Sequence, residues 1–352
     1  MRIAFIALGS QGPGVVGGVQ GYLRRLSTGL KALGHEVVFE LAGPSPGPAL
    51  ARVHRSTDEA LAAALSREPD VVQTTFGLGP AAIARQWSAL RQVEHRWGAH
   101  MVHPPRPAGR MPMLAQPAFW AAYWATYTGS LVPSPRLRSA SHPWGRPVLV
   151  PPPARDDHYR IQREPSDGAL RFGYAGRLSS DKGLGDVVHV FDALAKRHGE
   201  RVHCEVFGYG TEIDARPLER RAHVTLTRAE PVPIWTPERA QDMAAFLGRI
   251  DVLVLPYRDL ATTVDIPLLV VEAMAAGCAL VTTNIGDVPW ITGPSASIVP
   301  IGDVAALEAA CNAYVAEPGA ARSDGGRLRQ RALEWGLTPQ GAARAYLRGL
   351  GA

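Results

Sequence analysis

Lysine and cysteine are both scarce in this chain, with three of each in 352 residues. Cys204, Cys278 and Cys311 stand far apart and follow no metal-ligand spacing, which excludes a cysteine metal site; their odd number excludes a closed disulfide framework. No apolar run reaches the roughly 18–20 uncharged residues that a membrane-spanning helix needs. The opening Met1-Arg2-Ile3-Ala4-Phe5-Ile6-Ala7-Leu8 runs into glycines without a small-residue cleavage site, so it reads as a first β-strand and not as a leader. No repeat of about 20–50 residues recurs, which excludes a solenoid. What is present is ordinary for a folded protein: 46% apolar and 20% charged residues, at a length that suits two domains.

With Lys31, Lys182 and Lys196 the only lysines, arginine carries nearly all the positive charge. The charge is uneven. Residues 1–150 hold 15 Lys and Arg against 7 Asp and Glu, whereas residues 151–352 hold 22 against 25. An excess confined to the first half suits an anionic partner, such as a phosphorylated acceptor or a lipid headgroup surface, or else a merely solvated face. The expected location is cytoplasmic, with room for peripheral contact at the inner face of the membrane through the basic N-terminal half. No nucleic-acid partner is expected.

Strand-length apolar runs alternate with helix-length amphipathic stretches, the pattern of parallel α/β units. In the first half, strands are expected at Arg2–Leu8, His35–Glu40, Asp70–Thr75, Ala99–His103, Ser130–Pro133 and Pro147–Pro151. Helices are expected over about Gln20–Leu33, Asp58–Ser66 and Ala81–Trp97. Pro151-Pro152-Pro153 and the polar residues after it continue neither element and read as a hinge. A second series then starts, with strands at Leu170–Ala175, His203–Phe207, Val224–Leu226, Asp251–Leu255, Ala279–Thr282 and Ser297–Val299. Its helices are Asp186–His198, Pro237–Gly248, Leu268–Ala276 and Val304–Ala316, and Thr338–Leu350 reads as a final helix. The aromatic stripe Phe119, Trp120, Tyr123, Trp124 and Tyr127 reads as core on one more helix, or as an acceptor groove or membrane-facing edge.

Two stretches carry chemistry. Gly176-Arg177-Leu178-Ser179-Ser180-Asp181-Lys182-Gly183 follows a strand and precedes a helix, the place where open α/β sheets bind ligands. Arg177 offers a planar fork of donors and Lys182 a compact charge, a pair suited to a diphosphate. Asp265-Ile266-Pro267-Leu268-Leu269-Val270-Val271-Glu272-Ala273-Met274-Ala275-Ala276-Gly277 is the second. Pro267 suits a helix start and Gly277 a helix end, and Glu272 falls early in the helix, where a carboxylate is favoured and can accept hydrogen bonds from sugar hydroxyls.

These stretches, with Val206-Phe207-Gly208-Tyr209-Gly210, Asp251-Val252-Leu253-Val254-Leu255-Pro256 and Thr283-Asn284-Ile285-Gly286-Asp287-Val288-Pro289, occur in the order found in glycosyltransferase family 4. Gly17-Gly18-Val19 and Val132-Pro133-Ser134 extend the match into the first half, and the chain resembles that family over most of its length. The resemblance implies a GT-B fold: α/β, two Rossmann-like domains facing across a cleft, and a C-terminal helix returning to the N-terminal domain. The implied division is 1–153 for an acceptor domain, 154–335 for a nucleotide-sugar donor domain and 336–352 for the returning helix. The implied activity is retaining transfer of a sugar from a nucleoside-diphosphate sugar, a UDP- or GDP-sugar, to an acceptor hydroxyl, without metal or cofactor. Arg177 and Lys182 would hold the pyrophosphate and His103 would meet the donor sugar. Glu272 would take the ribose hydroxyls, the Ile266–Leu269 backbone would face the sugar and phosphate, and Gly17 and Gly18 would let the first loop approach.

One position departs from the family pattern. Where a first glutamate stands eight residues before the second, this chain has Val264, followed by Asp265. Valine accepts no hydrogen bond, so Asp265 is expected to take over the sugar-end contact. A catalytically weak paralogue serving as a partner subunit is the alternative that Val264 raises. A dinucleotide-dependent oxidoreductase fits less well, because Gly12-Pro13-Gly14-Val15-Val16-Gly17-Gly18 departs from dinucleotide spacing.

Overall fold

The computed structural model describes residues 1–8, 18–42, 52–74, 88, 90–99, 121, 127–141, 146–163, 168–210, 212–229 and 239–351. They fall into two compact units: one drawn from Met1–Pro153 and Pro339–Ala352, the other from Ala154–Pro231 and Pro237–Thr338.

In the first unit the elements are β1 (Arg2–Leu8), α1 (Gly18–Ala32), β2 (Glu36–Ala42), β3 (Arg52–His54), α2 (Thr57–Leu65), β4 (Val71–Thr74), β5 (His95–Ala99), β6 (Gly129–Val132), α3 (Pro135–Ser141) and β7 (Pro147–Leu149). The strands form one sheet of order β3-β2-β1-β4-β5-β6-β7. Every pairing in it is parallel. Ile3, Ala4, Phe5 and Ile6 on β1 are all buried, as the unbroken apolar run of a strand covered on both faces requires. On α1 the helically spaced Tyr22, Leu23, Leu26 and Leu30 are enclosed, and Tyr22 donates from its hydroxyl to the Val150 carbonyl at 2.8 Å.

The second unit continues with β8 (Leu170–Arg177), α4 (Leu184–His198), β9 (Val202–Tyr209), α5 (Glu212–Glu219), β10 (Val224–Arg228), α6 (Arg239–Arg249), β11 (Val252–Leu255), α7 (Leu268–Ala276), β12 (Ala279–Thr283), α8 (Val288–Thr292), β13 (Ser297–Val299), α9 (Val304–Ala316) and α10 (Pro318–Glu334). Its sheet runs β10-β9-β8-β11-β12-β13 and is parallel throughout. This is the doubly wound Rossmann order, with the direction of winding reversed between β8 and β11. The last helix, α11 (Pro339–Leu350), leaves this unit and packs in the first, against α1. Contact there is close: a Cβ on Gly29 of α1 would lie 1.9 Å from the Pro339 carbonyl oxygen. Tyr346 of α11 meets Trp97 edge-on at 5.2 Å between ring centroids.

Among the regions that differ from the sequence expectation, two have a packing cause. His95-Arg96-Trp97 was expected to close a helix and Ala99 to open a strand, yet the strand is His95–Ala99. It is held by pairing to β4 and β6, and Trp97 fills the space over Gly129, where a Cβ would sit 2.7 Å from the indole. The segment Pro318–Glu334, for which no element was expected, forms a helix even though Gly325-Gly326 is costly inside one. Gly325 is required by packing: a Cβ there would meet the Gly277 carbonyl oxygen at 2.1 Å, so α10 and the end of α7 touch through backbone. Among the described residues, no helix is long and apolar enough to cross a membrane.

Candidate functional site

Ligands of doubly wound sheets bind beyond the carboxyl ends of the strands where the winding reverses. In the second unit those strands are β8 and β11, and the two loops that leave them meet. β8 ends on Arg177; the turn Ser180–Lys182 follows, and α4 starts at Leu184. The loop after β11 runs from Pro256 to Pro267, where α7 begins.

The first loop is shaped by local chemistry. Gly176 takes φ +137°, the Tyr174 hydroxyl donates to the Arg177 carbonyl at 2.8 Å, and Leu178 N–H donates to the Tyr209 carbonyl at 2.8 Å. Gly183, at φ +78°, lets the chain turn into α4 with its Cα pressed against Pro256. Arg177, still 44% exposed, is ion-paired to Asp181 and donates from Nε to the Ser179 hydroxyl at 3.1 Å. Partial burial would raise the Asp181 carboxyl, but the Ser179 and Thr262 hydroxyls and the Arg177 guanidinium hold it below its ordinary value.

Lys182 crosses to the second loop. Its ammonium donates to the Thr262 carbonyl and to Thr263 Oγ1 at 2.8 Å, and it stands 5.9 Å from the centre of the Tyr257 ring. Burial and the nearby Arg177 charge bring its pKa down to about 8, against the opposing pull of Asp181 and Asp259. The second loop is fixed at several points. Thr282 and Thr283 donate to the carbonyls of Leu255 and Tyr257 at 2.7 and 2.6 Å, Thr262 N–H donates to Asp259 at 2.9 Å, and Arg258 pairs with the buried Asp186 of α4.

At the start of α7, Pro267 is the N-cap and Gly277 the left-handed C-cap, at φ +74°. The first N–H groups of the helix, those of Leu268 and Leu269, have no carbonyl of their own helix to bond. Leu269 reaches the β8 loop: a Cβ on Gly176 would lie 3.7 Å from its Cδ1. Glu272 is 6% exposed and close enough to Tyr257 to add to the rise that burial imposes on that phenol. Asp265 is fully enclosed, with its carbonyl oxygen and Oδ1 2.5 and 2.7 Å from where a Gly286 Cβ would be, so its carboxylate lies under the turn after β12. Ile266 is buried, and Leu268 and Leu269 are half-buried. Among the described residues, no group of three or more His, Cys, Asp or Glu side chains could hold a metal.

Of the residues singled out from sequence, Arg177, Lys182, Asp265, Ile266, Pro267, Leu268, Leu269 and Glu272 therefore lie in two adjoining loops and the helix start that follows. Gly18 opens α1 of the first unit. Gly17 and His103 lie outside the described residues. Sequence reasoning passed over Tyr257, Arg258, Asp259, Thr262 and Thr263, which it took only as a polar loop. Their position after the strand where winding reverses was the signal that could have found them.

Residues 169–317 match the family model described as Glycosyl transferases group 1. A glycogen synthase of Mycobacterium tuberculosis is 30% identical over 192 residues, 53% of this chain and 44% of the relative, so the match spans less than half of that relative's length. Among solved structures, sucrose-phosphate synthase from Thermosynechococcus elongatus superposes with a TM-score of 0.69 at 16% identity, covering 100% of this chain and 99% of its own. Anabaena HepE in complex with UDP gives 0.73 at 13% identity, with all of both chains covered. Likeness at such low identity speaks for the fold, and the fold is that of two Rossmann-like units in the α/β GT-B class.

Proposed function

We propose that this chain is a family 4 glycosyltransferase that moves a sugar from a nucleoside-diphosphate sugar to an acceptor hydroxyl with retention of anomeric configuration and without metal. The observation that carries this reading is the meeting of the loop that holds Arg177 and Lys182 with the loop that leads from β11 into α7, through Lys182 and Thr263 and through Gly176 and Leu269. Two cations and a helix N-terminus at one place suit a diphosphate whose charge grows as the sugar leaves. A protein of the same fold was solved with UDP bound, which makes a uridine donor the first to try.

In this reading Arg177 and Lys182 hold the pyrophosphate, Glu272 accepts from the ribose hydroxyls, and the Ile266–Leu269 backbone faces the sugar phosphate. The bond from the anomeric carbon to the leaving phosphate oxygen breaks, the acceptor oxygen bonds to the same face, and the acceptor proton passes to the departing phosphate. Gly17, Gly18 and His103 are assigned to the donor as well, and 1–153 to the acceptor. The acceptor's class follows from charge alone: an anionic or lipid-linked molecule suits the basic first half, as does peripheral contact with a membrane. A thermal-shift panel of nucleoside diphosphates and their sugars tests the core claim, since a ligand of the folded state raises the unfolding midpoint. At 100 times its Kd the matching donor should add about 2.7 kcal/mol; no response to any of them would overturn the reading.

Asp265 is proposed to supply the sugar-end carboxylate in place of the missing glutamate at 264, with the turn at Gly286 that covers its carboxylate moving aside as the sugar binds. Asp265→Asn keeps the shape and removes the charge, and hydrogen bonds to charged groups are worth about 1.5–3 kcal/mol. Turnover with the native donor is expected to fall roughly tenfold to a hundredfold. Near-normal turnover would remove Asp265 from the site.

A further inference from the structure

We propose that Thr263 is a positioning residue for Lys182, its hydroxyl accepting from the ammonium so that the cation is already aimed when the donor diphosphate arrives. This rests on the donor-site reading above and adds to it a residue that no sequence motif marked.

A lysine side chain is a point charge on a flexible four-carbon stem, and left alone it samples many rotamers. Here it is held on several sides. Thr263 Oγ1 takes one of its three protons at 2.8 Å, the Thr262 carbonyl takes another, and the face of Tyr257 lies 5.9 Å from the nitrogen. Thr263 is 4% exposed, so water does not compete for its hydroxyl. The loop that carries it is itself anchored, through Thr262 N–H to Asp259, through Arg258 to Asp186, and through Thr283 to the Tyr257 carbonyl. Holding a cation in place before the reaction avoids reorganisation at the moment when charge develops.

The hydroxyl also acts on the proton of Lys182. An acceptor bonded to the charged form favours that form. The charged groups that face the ammonium are Arg177, which disfavours its charge, and Asp181 and Asp259, which favour it, while burial is the largest influence and disfavours it. Taking away the Thr263 acceptor leaves burial and Arg177 less opposed, so the ammonium should lose its proton at lower pH.

Three lysines in the whole chain make this directly measurable. Full-length protein labelled at lysine with carbon-13 and nitrogen-15 is titrated by NMR, and the Lys182 signal is assigned by its disappearance in Lys182→Met. Thr263→Val should lower the Lys182 midpoint by about one pH unit relative to wild type, and Thr263→Ser should restore it. Thr263→Ala is carried alongside in case the valine variant does not fold. In parallel, the affinity for uridine and guanosine diphosphate is followed from pH 6 to 10. Binding should weaken as pH rises through the Lys182 midpoint, and this fall should move with the midpoint, leaving the valine variant roughly fivefold weaker at pH 8. A folded valine or alanine variant with the wild-type midpoint overturns the proposal. Wild-type protein that binds neither diphosphate overturns the donor-site reading and the role of Thr263 with it; binding with an unmoved midpoint overturns the Thr263 role alone.

Discussion

Lys182→Met is expected to lower kcat for sugar transfer by about 10²–10³-fold, the usual cost of removing one preorganised electrostatic partner of a developing negative charge. The same variant should be as stable as wild type or more stable near neutral pH. The sign follows from linkage. Lys182 is held at about 8 in the folded chain against an ordinary 10.5, so between those values the unfolded chain binds more protons and stability rises with pH. Below about 8 the ammonium is charged in both states, and its burial beside Arg177 is a cost in the folded state alone. Methionine is of similar length and carries no charge, so it removes that cost. The unfolding midpoint of Lys182→Met minus that of wild type should be largest near pH 7 and shrink as pH approaches 10. A residue kept at the expense of stability is one retained for function. Loss of activity with a lowered midpoint would instead make Lys182 a structural residue. Lys182→Arg is not a neutral control, because a planar fork cannot take the place of a point charge between Thr262, Thr263 and Tyr257.

Much of this arrangement was legible in the sequence, and what was not has physical reasons. Parallel strands buried on both faces announce themselves as apolar runs, so β1, β8, β11 and β12 were placed within a residue or two. The helix Leu268–Ala276 was legible to the residue because a proline starts it and a glycine ends it. β3, three residues of which only Val53 is apolar, offers no pattern and exists by pairing to β2. β5 was hidden by Gly98 and by charged neighbours, and α10 by Gly325-Gly326, of which Gly325 is needed for contact with the end of α7. At the candidate site, Arg177, Lys182 and Glu272 stood out in the sequence because the carboxyl end of a parallel strand and the start of a helix are where such sheets meet their ligands, and a charge there contrasts with apolar neighbours. Thr263 was not. A hydroxyl in a polar loop is ordinary until the fold brings it to a lysine 81 positions earlier. The burial of Asp265 was equally hidden, since it depends on Gly286 giving way above it.

Gly183→Ala should be the most damaging single-methyl change in the second unit, striking stability and the site together. Two separate costs apply. The backbone at Gly183 is left-handed, φ +78° and ψ +20°, a conformation that costs an L-residue about 1–2 kcal/mol. The new Cβ would also lie 2.0 Å from the Pro256 carbonyl oxygen and 2.8 Å from its Cγ, and overpacking against parts that cannot swing aside costs roughly 1–3 kcal/mol. The sum, about 2–5 kcal/mol, corresponds to a fall of roughly 5–15 °C in the unfolding midpoint for a unit of this size. Relief requires the turn Ser180–Lys182 and the chain at Pro256 to part. Those are the two backbones that bring Lys182 to Thr263, so nucleoside diphosphate binding should fall with stability even at temperatures where the variant remains folded. Gly185→Ala supplies the control two residues away. It lies within α4, its φ is not left-handed, and nothing stands within 4 Å of its added methyl, so it should be neutral or stabilise by up to about 1 kcal/mol. Equal midpoints and equal diphosphate affinities for the two variants would mean that the contact of Gly183 with Pro256 does not join the loops of β8 and β11.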